Sequence, residues 1–216
     1  MLSDEAAAAQ SALLEGGIYP ERLELGSLAT LGGVVDCLAH AKSKTPSLVL
    51  EIGVDATQSF IVTAGGGVEA SRPIQQGLDA MVPIVQKELG LKDEDSARKL
   101  FYSNTFDFTG MGPLLIKKLL KELQSSIGFY EVQTGQSVGQ VLTTQLSPKL
   151  AWLDAAIASS LGITKLKLDP VPWLESRNIT LAEAVAGNAQ EIRWFGLLSL
   201  MAHYHAVHAV AAEEKK

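Results

Sequence analysis

The chain is short of cysteine and of positive charge, and it has no clean long apolar run. Each shortage closes off a class of protein. Cys37 is the single cysteine among 216 residues, so no internal disulfide can form, and a reducing compartment suits such usage. Its neighbours Val34, Val35, Leu38 and Ala39 mark it as a small buried hydrophobe. Lys and Arg number 18 against 24 Asp and Glu, a net charge of -6. Binding along a phosphate backbone needs clustered basic residues, so nucleic acid is not an expected partner. Lys117, Lys118 and Lys121 come nearest to a basic patch and read as one solvated helix face. The opening MLSDEAAAAQ has no basic stretch ahead of an apolar run, so no signal peptide is evident. The segment Phe195 to Ala212 invites a membrane reading, but three histidines, a tyrosine and a serine interrupt it. It is expected to form a buried or half-buried helix, not a membrane span.

What is present is an ordinary globular composition. A content of 47% hydrophobic and 19% charged residues suffices for one sizeable core or two small lobes. Residues 3–15 read as a helix begun at Ser3 and stopped by Gly16-Gly17. Ile18 to Leu25 reads as a short strand interrupted by Pro20. Ser27 to Ala41 reads as a helix, with Leu28, Leu31, Val34, Val35 and Leu38 at helical spacing. Lys42 to Ser47 is a loop by composition.

The most informative stretch runs from Leu48 to Gly77, LVLEIGVDATQSFIVTAGGGVEASRPIQQG. Apolar side chains on both faces of Leu48–Ile52 predict a strand inside a sheet. Phe60-Ile61-Val62 predicts a second strand, Gly65-Gly66-Gly67 a tight hairpin, and Val68–Ile74 a third strand. A helix is expected over Gly77–Leu89, stopped by Gly90. Asp93-Glu94-Asp95 form an acidic first turn of the next helix, favourable against its dipole. The Gly110–Pro113 break opens a longer helix whose wide apolar face runs from Leu114 to Ile127. Val138–Thr144 reads as a strand. Ser147-Pro148 then caps a helix over Lys149–Leu161 that Gly162 closes. Ile163–Leu168 reads as another strand, ended by Asp169-Pro170, and a loop with Trp173 leads to a long helix from about Leu181 or Asn188.

Several conspicuous residues read as structural. His203, His205 and His208 point in three directions around a helix, unlike the i, i+4 pair of a helical metal site. Gly65–67 lacks the Lys-Ser/Thr that follows a phosphate loop. Trp152 and the pair Trp194-Phe195 read as core. No Ser-His-Asp set can be assembled.

A β-meander, a helix, a helical insertion and then βα units predict a mixed sheet. That order resembles the second half of the actin-like ATPases, and most closely the type IV pilus assembly PilM family with its relatives in competence and type II secretion. Val49 to Thr57, VLEIGVDAT, is similar to the family's Asp-Ile-Gly hairpin, and Val141 to Ser147, VLTTQLS, to its glycine-rich strand end. Lys167 to Pro170, KLDP, is similar to a Leu-Asp-Pro turn, and Phe195 to Leu198, FGLL, to the closing small-residue helix. Ile18 to Ala41 resembles the last strand of the first lobe and the helix that crosses between lobes.

The resemblance implies an α/β, actin-like (ribonuclease H-like) lobe. Residues 1–47 would be a remnant of the first lobe with its connecting helix, 48–91 and 134–216 the core subdomain, and 92–133 an inserted helical subdomain. Complete members grip nucleotide phosphates with two hairpins, one per lobe; this chain shows one. In it Glu51 stands where the family has aspartate, Gly53 permits close backbone approach, and the Thr57 hydroxyl is a candidate phosphate donor. Gln145, Leu146 and Ser147 replace the glycines on the nucleoside side. Glu51, Gly53, Thr57 and Gln145 are thus the expected remnants of a weak, degenerate nucleotide site. No catalytic or metal-binding residue and no cofactor is expected, ATP with magnesium belonging only to a complete two-lobed parent.

The implied function is that of a non-catalytic, bacterial scaffold lobe, cytoplasmic and peripheral to the inner membrane, in a type IV pilus or type II secretion machine. Its partners would be proteins of that assembly. The face freed by the missing lobe is expected to expose an apolar patch near Leu23, Leu25 and Leu28, suited to pairing with a second copy. Two rival readings stand beside it: the nucleotide-binding half of an actin-like ATPase or sugar-kinase relative whose first lobe lies elsewhere, and a plain small α/β binding module.

Overall fold

The computed structural model describes residues 3–20, 24–103 and 105–213. Helix α1 (Ser3–Glu15) ends where Gly17 takes a φ of +75°, the left-handed turn that glycine adopts without strain. Among the described residues no strand follows it before α2. Ile18–Pro20 and Glu24–Leu25 carry no ladder, and Leu23 lies outside the described residues. Ile18 and Tyr19 face solvent, and Pro20 removes a ladder donor, so the apolar residues read there as a strand have no sheet to join. Helix α2 (Gly26–His40) then buries Leu31, Val34, Cys37 and Leu38.

The expected meander is present. Strands β1 (Ser47–Ile52), β2 (Thr57–Val62) and β3 (Val68–Ile74) pair antiparallel in sequence. A single 3₁₀ turn leads into α3 (Val82–Glu88), followed by α4 (Glu94–Ser103), α5 (Gly112–Leu115) and α6 (Lys117–Thr134). Strand β4 (Gln140–Thr144) lies parallel to β1, helix α7 (Ala151–Leu161) follows, and β5 (Thr164–Lys165) lies parallel to β4. Helices α8 (Val171–Ser176), α9 (Glu183–Ala186) and α10 (Phe195–Glu213) complete the chain. The sheet is five-stranded and mixed, in the order β3-β2-β1-β4-β5.

Strand alternation divides the interior into two layers. Leu48, Leu50, Ile52, Ile61 and Val141 point to one face, where Ala97, Phe101, Phe108, Ile116, Leu119 and Leu123 from the helices of residues 92–133 share their core. Val49, Phe60, Val62 and Leu142 point to the other, covered by α2, α8 and α10. Arg72 on edge strand β3 pairs with Glu122 of α6 at 2.6 Å, tying the edge to the first helical layer.

Three local expectations need correction. The strand read over Ile163–Leu168 shortens to Thr164–Lys165, since only the Leu166 amide, bonded to the Val141 carbonyl at 2.8 Å, extends its ladder. Trp173 lies within helix α8, where it stacks on Phe195 at 5.7 Å, and not in a loop. Trp194 is 38% exposed rather than core, because the phase of α10 turns Phe195, Leu198 and Ala202 inward; Arg193 lies over its ring instead. Among the described residues no helix is long and apolar enough to cross a membrane.

Candidate functional site at the carboxyl edge of the parallel strands

Ligands of open α/β sheets gather beyond the carboxyl ends of the parallel strands, and here that edge is formed by β1 and β4. The first turn of α2 lies over it, because Ser27 at the start of α2 meets Glu51 near the end of β1. The first turn of α10 lies beside α2: a Cβ on Gly196 would stand 2.8 Å from the Thr30 hydroxyl. Helix amino termini present unpaired N–H groups and the positive end of the dipole, which favours an anion. The chain supplies its own. The Glu51 carboxylate accepts a hydrogen bond from the Ser27 hydroxyl at 2.8 Å.

Gln145, the residue after β4, has a φ of +63°, a left-handed conformation that glycine takes freely and other residues at a cost. The backbone thus keeps a glycine-like turn while carrying a side chain, whose amide donates to the Thr30 hydroxyl at 3.4 Å. Glu51 and Gln145 therefore converge on one helix, bonded to residues three apart in its first turns. Gly53 and Thr57 belong to the hairpin beside them. The Gly53 amide closes the turn on the Ala56 carbonyl at 2.9 Å. Thr57 departs from expectation: it is fully buried, and its hydroxyl donates to the Gln76 carbonyl at 2.7 Å, so it presents nothing to a phosphate.

That bond belongs to a clamp that sequence reasoning missed. The Leu78 amide donates to the Gly53 carbonyl and the Asp79 amide to the Val54 carbonyl, each at 2.9 Å. Gly77 presses on the same turn so closely that a Cβ there would stand 2.3 Å from the Val54 oxygen. Asp79 is held in turn by the Arg98 guanidinium and by the Tyr102 hydroxyl, the latter at 3.0 Å. The hydrogen-bonded Arg98 lowers the Asp79 carboxyl below its usual 3.8, against a smaller effect of burial. Burial, then the bond to Asp79, pushes the Tyr102 hydroxyl up to about 12. The one sequence signal was a glycine three residues past the end of a β-run; the Asp79–Arg98–Tyr102 cluster left none. A second hidden group is Asp154 of α7, buried where it accepts from Thr143 and pairs with Lys165.

As arranged, the four expected residues do not fit a phosphate chain. Glu51 fixes negative charge at the edge, the Thr57 hydroxyl is spent, Gln145 reaches across to α2, and residues 76–79 cover the turn. At the start of α7 lies a pocket of about 520 Å³ with Phe106, Phe108 and Trp152 in its wall and Asp107, Thr109 and Lys149 at its polar side. Hydrogen bonds from Thr109 hold the Asp107 carboxyl below its ordinary value. Among the described residues no cluster of His, Cys, Asp and Glu could hold a metal ion. His203 is exposed, and the side chains of His205 and His208 lie outside the described residues.

No family model matches the chain, and neither does any curated protein. Among solved structures, a chain of a PilM–PilN type IV pilus biogenesis complex is similar at a TM-score of 0.61 and 22% identity, covering 91% of this chain and 57% of that one. Ta0583, an archaeal actin homolog, is similar at a TM-score of 0.47 and 14% identity over 86% of this chain and 54% of its own. Of the two, only the first is close enough to show a shared fold, and over 91% of its length this chain has that fold. The chain spans a little over half the length of that protein.

Proposed function

We propose that the chain is a non-catalytic scaffold lobe of a PilM-like assembly protein, working with proteins of a type IV pilus or type II secretion machine at the cytoplasmic face of a bacterial inner membrane. The observation that carries this reading is the Ser27–Glu51 hydrogen bond across the carboxyl edge of the sheet. A phosphate chain entering there would break that bond and meet like charge, which no neighbouring cation offsets in the four-residue set. The likeness to a structure of a PilM–PilN complex supports partners of the same class, and a second copy of the chain is one further partner.

A second reading, the nucleotide-binding half of an actin-like ATPase, draws on the aromatic-walled pocket at the start of α7, which has the flat walls and polar rim that a heterocycle needs. One measurement separates them. Thermal unfolding with millimolar magnesium and ATP is expected to leave Tm unchanged. Nucleotide present at a hundred times its Kd would add about 2.7 kcal/mol and lift Tm by roughly 5–10 °C for a chain of this size. A rise of that order overturns the scaffold reading.

A further inference from the structure

The ladder between β4 and β5 ends with the bond from the Leu166 amide to the Val141 carbonyl, while β4 itself runs on to Thr144. Where the two segments part there is a cavity of about 300 Å³. Leu142 and Thr143 line it from β4, residues 165–168 from the departing strand, and Ile192 and Phe195 from the approach to α10. Neighbours on an extended chain point to opposite faces. A cavity lined by four of them in succession therefore runs along the edge of that chain, with access to both faces.

One side of its wall is apolar and the other charged. Leu166 and Phe195 belong to the second core layer, with Leu168 and Ile192 packed against it. Lys165 and Lys167 alternate with the two leucines and so share the opposite side, where Lys165 pairs with Asp154 of α7. The Asp154 side chain is only 9% exposed. Both its oxygens are engaged, Oδ1 by the Thr143 hydroxyl and Oδ2 by the Lys165 ammonium. Lys167 is exposed, and among the described residues it makes no ion pair. Asp169 stands outside the wall, its carboxylate accepting from the Val171 amide and from Gln190. The wall thus sets two ammonium groups against one carboxylate.

We propose that this cavity binds a small apolar monocarboxylate, its hydrocarbon against Leu166, Leu168, Ile192 and Phe195 and its carboxylate on Lys167. A largely apolar wall offers water few of the two to four polar partners it needs, and the volume is that of about ten liquid waters, room for about ten non-hydrogen atoms. One ammonium group in excess selects a single negative charge. A ligand cation finds no free oxygen on Asp154 and is repelled by Lys167. The site has no lining residue in common with the pocket at the start of α7, and it does not depend on the scaffold reading.

Titrating the full chain with octanoate, octanol and octylammonium, followed by leucine and isoleucine methyl resonances, tests this. Octanoate is expected to shift Leu166, Leu168 and Ile192 with a Kd on the order of 1 mM or tighter. Octanol and octylammonium should bind at least about fivefold more weakly. Lys167→Gln should weaken octanoate about fivefold and leave octanol unchanged; the position is exposed, so circular dichroism should show an unchanged fold. No shift at millimolar octanoate, octanol binding as tightly as octanoate, or a Lys167→Gln protein of unchanged affinity would each overturn the proposal. So would shifts confined to Leu197 and Met201, in the open groove along α9 and α10 whose wall carries no charge.

Discussion

Replacing Gly77 with alanine should cost this protein more stability than any other single methyl group added at the carboxyl edge. The backbone there has φ -110° and ψ -166°, extended values open to every residue, so the penalty is one of contact alone. The new Cβ would meet the Val54 oxygen at 2.3 Å, the Val54 carbonyl carbon at 2.5 Å and the Ala56 nitrogen at 2.6 Å. All three are backbone atoms of a closed turn, and none can swing aside as a side-chain tip would. Residues 76–79 must withdraw by about an ångström, which breaks the Leu78–Gly53 and Asp79–Val54 hydrogen bonds. Each is worth about 1 kcal/mol net, and overpacking adds about 1–3 kcal/mol. The lower entropy of the unfolded alanine chain returns about 0.4–1 kcal/mol, leaving a net loss of about 2–5 kcal/mol. Gly53 provides the control. Its Cβ would stand 3.0 Å from the Ala56 oxygen, a contact that a small adjustment relieves, so Gly53→Ala should cost about 1 kcal/mol. Urea unfolding followed by tryptophan fluorescence reads both; the Gly77 variant should lose roughly 1 M in midpoint. A Gly77→Ala protein within about 0.5 kcal/mol of wild type, or a Gly53 variant less stable than it, would refute the reasoning.

Three further outcomes are expected. The Asp79 carboxyl is depressed in the folded state by Arg98, so the stability it supplies is full above its unfolded value of about 4 and drains away as pH falls through the folded value. Because the group is partly exposed, that contribution is about 1 kcal/mol or less. Asp79→Asn should therefore flatten the loss of stability on acidification below pH 4, and an unchanged slope would exclude the pair. Burial, followed by the charges of Asp169 and Asp36, raises the Cys37 thiol to about 11; a thiol reagent at pH 8 should leave it untouched in the native protein and react fully in urea, and rapid native labelling would contradict its burial. Gln145→Gly should relieve the left-handed strain at φ +63° and raise stability by about 0.5–1 kcal/mol, measured as a higher Tm, since the hydrogen bond it gives up, at 3.4 Å, is long.

Much of the fold is legible in the sequence. The alternation of Leu48, Leu50 and Ile52 with Val49 identifies a strand buried on both faces, and the three-strand meander follows from the glycine run between Val62 and Val68. The stops at Gly17, Gly90 and Gly162 are left-handed glycines, as helix ends prefer. The misses share a cause. Ile18–Pro20 and Glu24–Leu25 resemble a strand in composition but carry no ladder, Trp173 belongs to a helix too short to show a period, and β5 leaves the ladder after Lys165 although β4 runs on to Thr144. Each depends on what lies alongside, which local composition does not encode.

The candidate site divides in the same way. Glu51, Gly53 and Gln145 are recognisable from motif position, and Glu51 and Gln145 each bond to the first turns of α2. That Glu51 is held by Ser27, that Thr57 faces Gln76, and that Gly77 and Asp79 clamp the turn are matters of packing between segments 19 to 24 residues apart. The sequence alone determined the strand and helix periods, the turn positions and the shortage of cationic groups, because these depend on neighbours within a few residues. Only the tertiary structure decided which polar groups are already satisfied and which apolar faces stay uncovered, because hydrogen bonding and burial depend on surfaces that distant segments bring together.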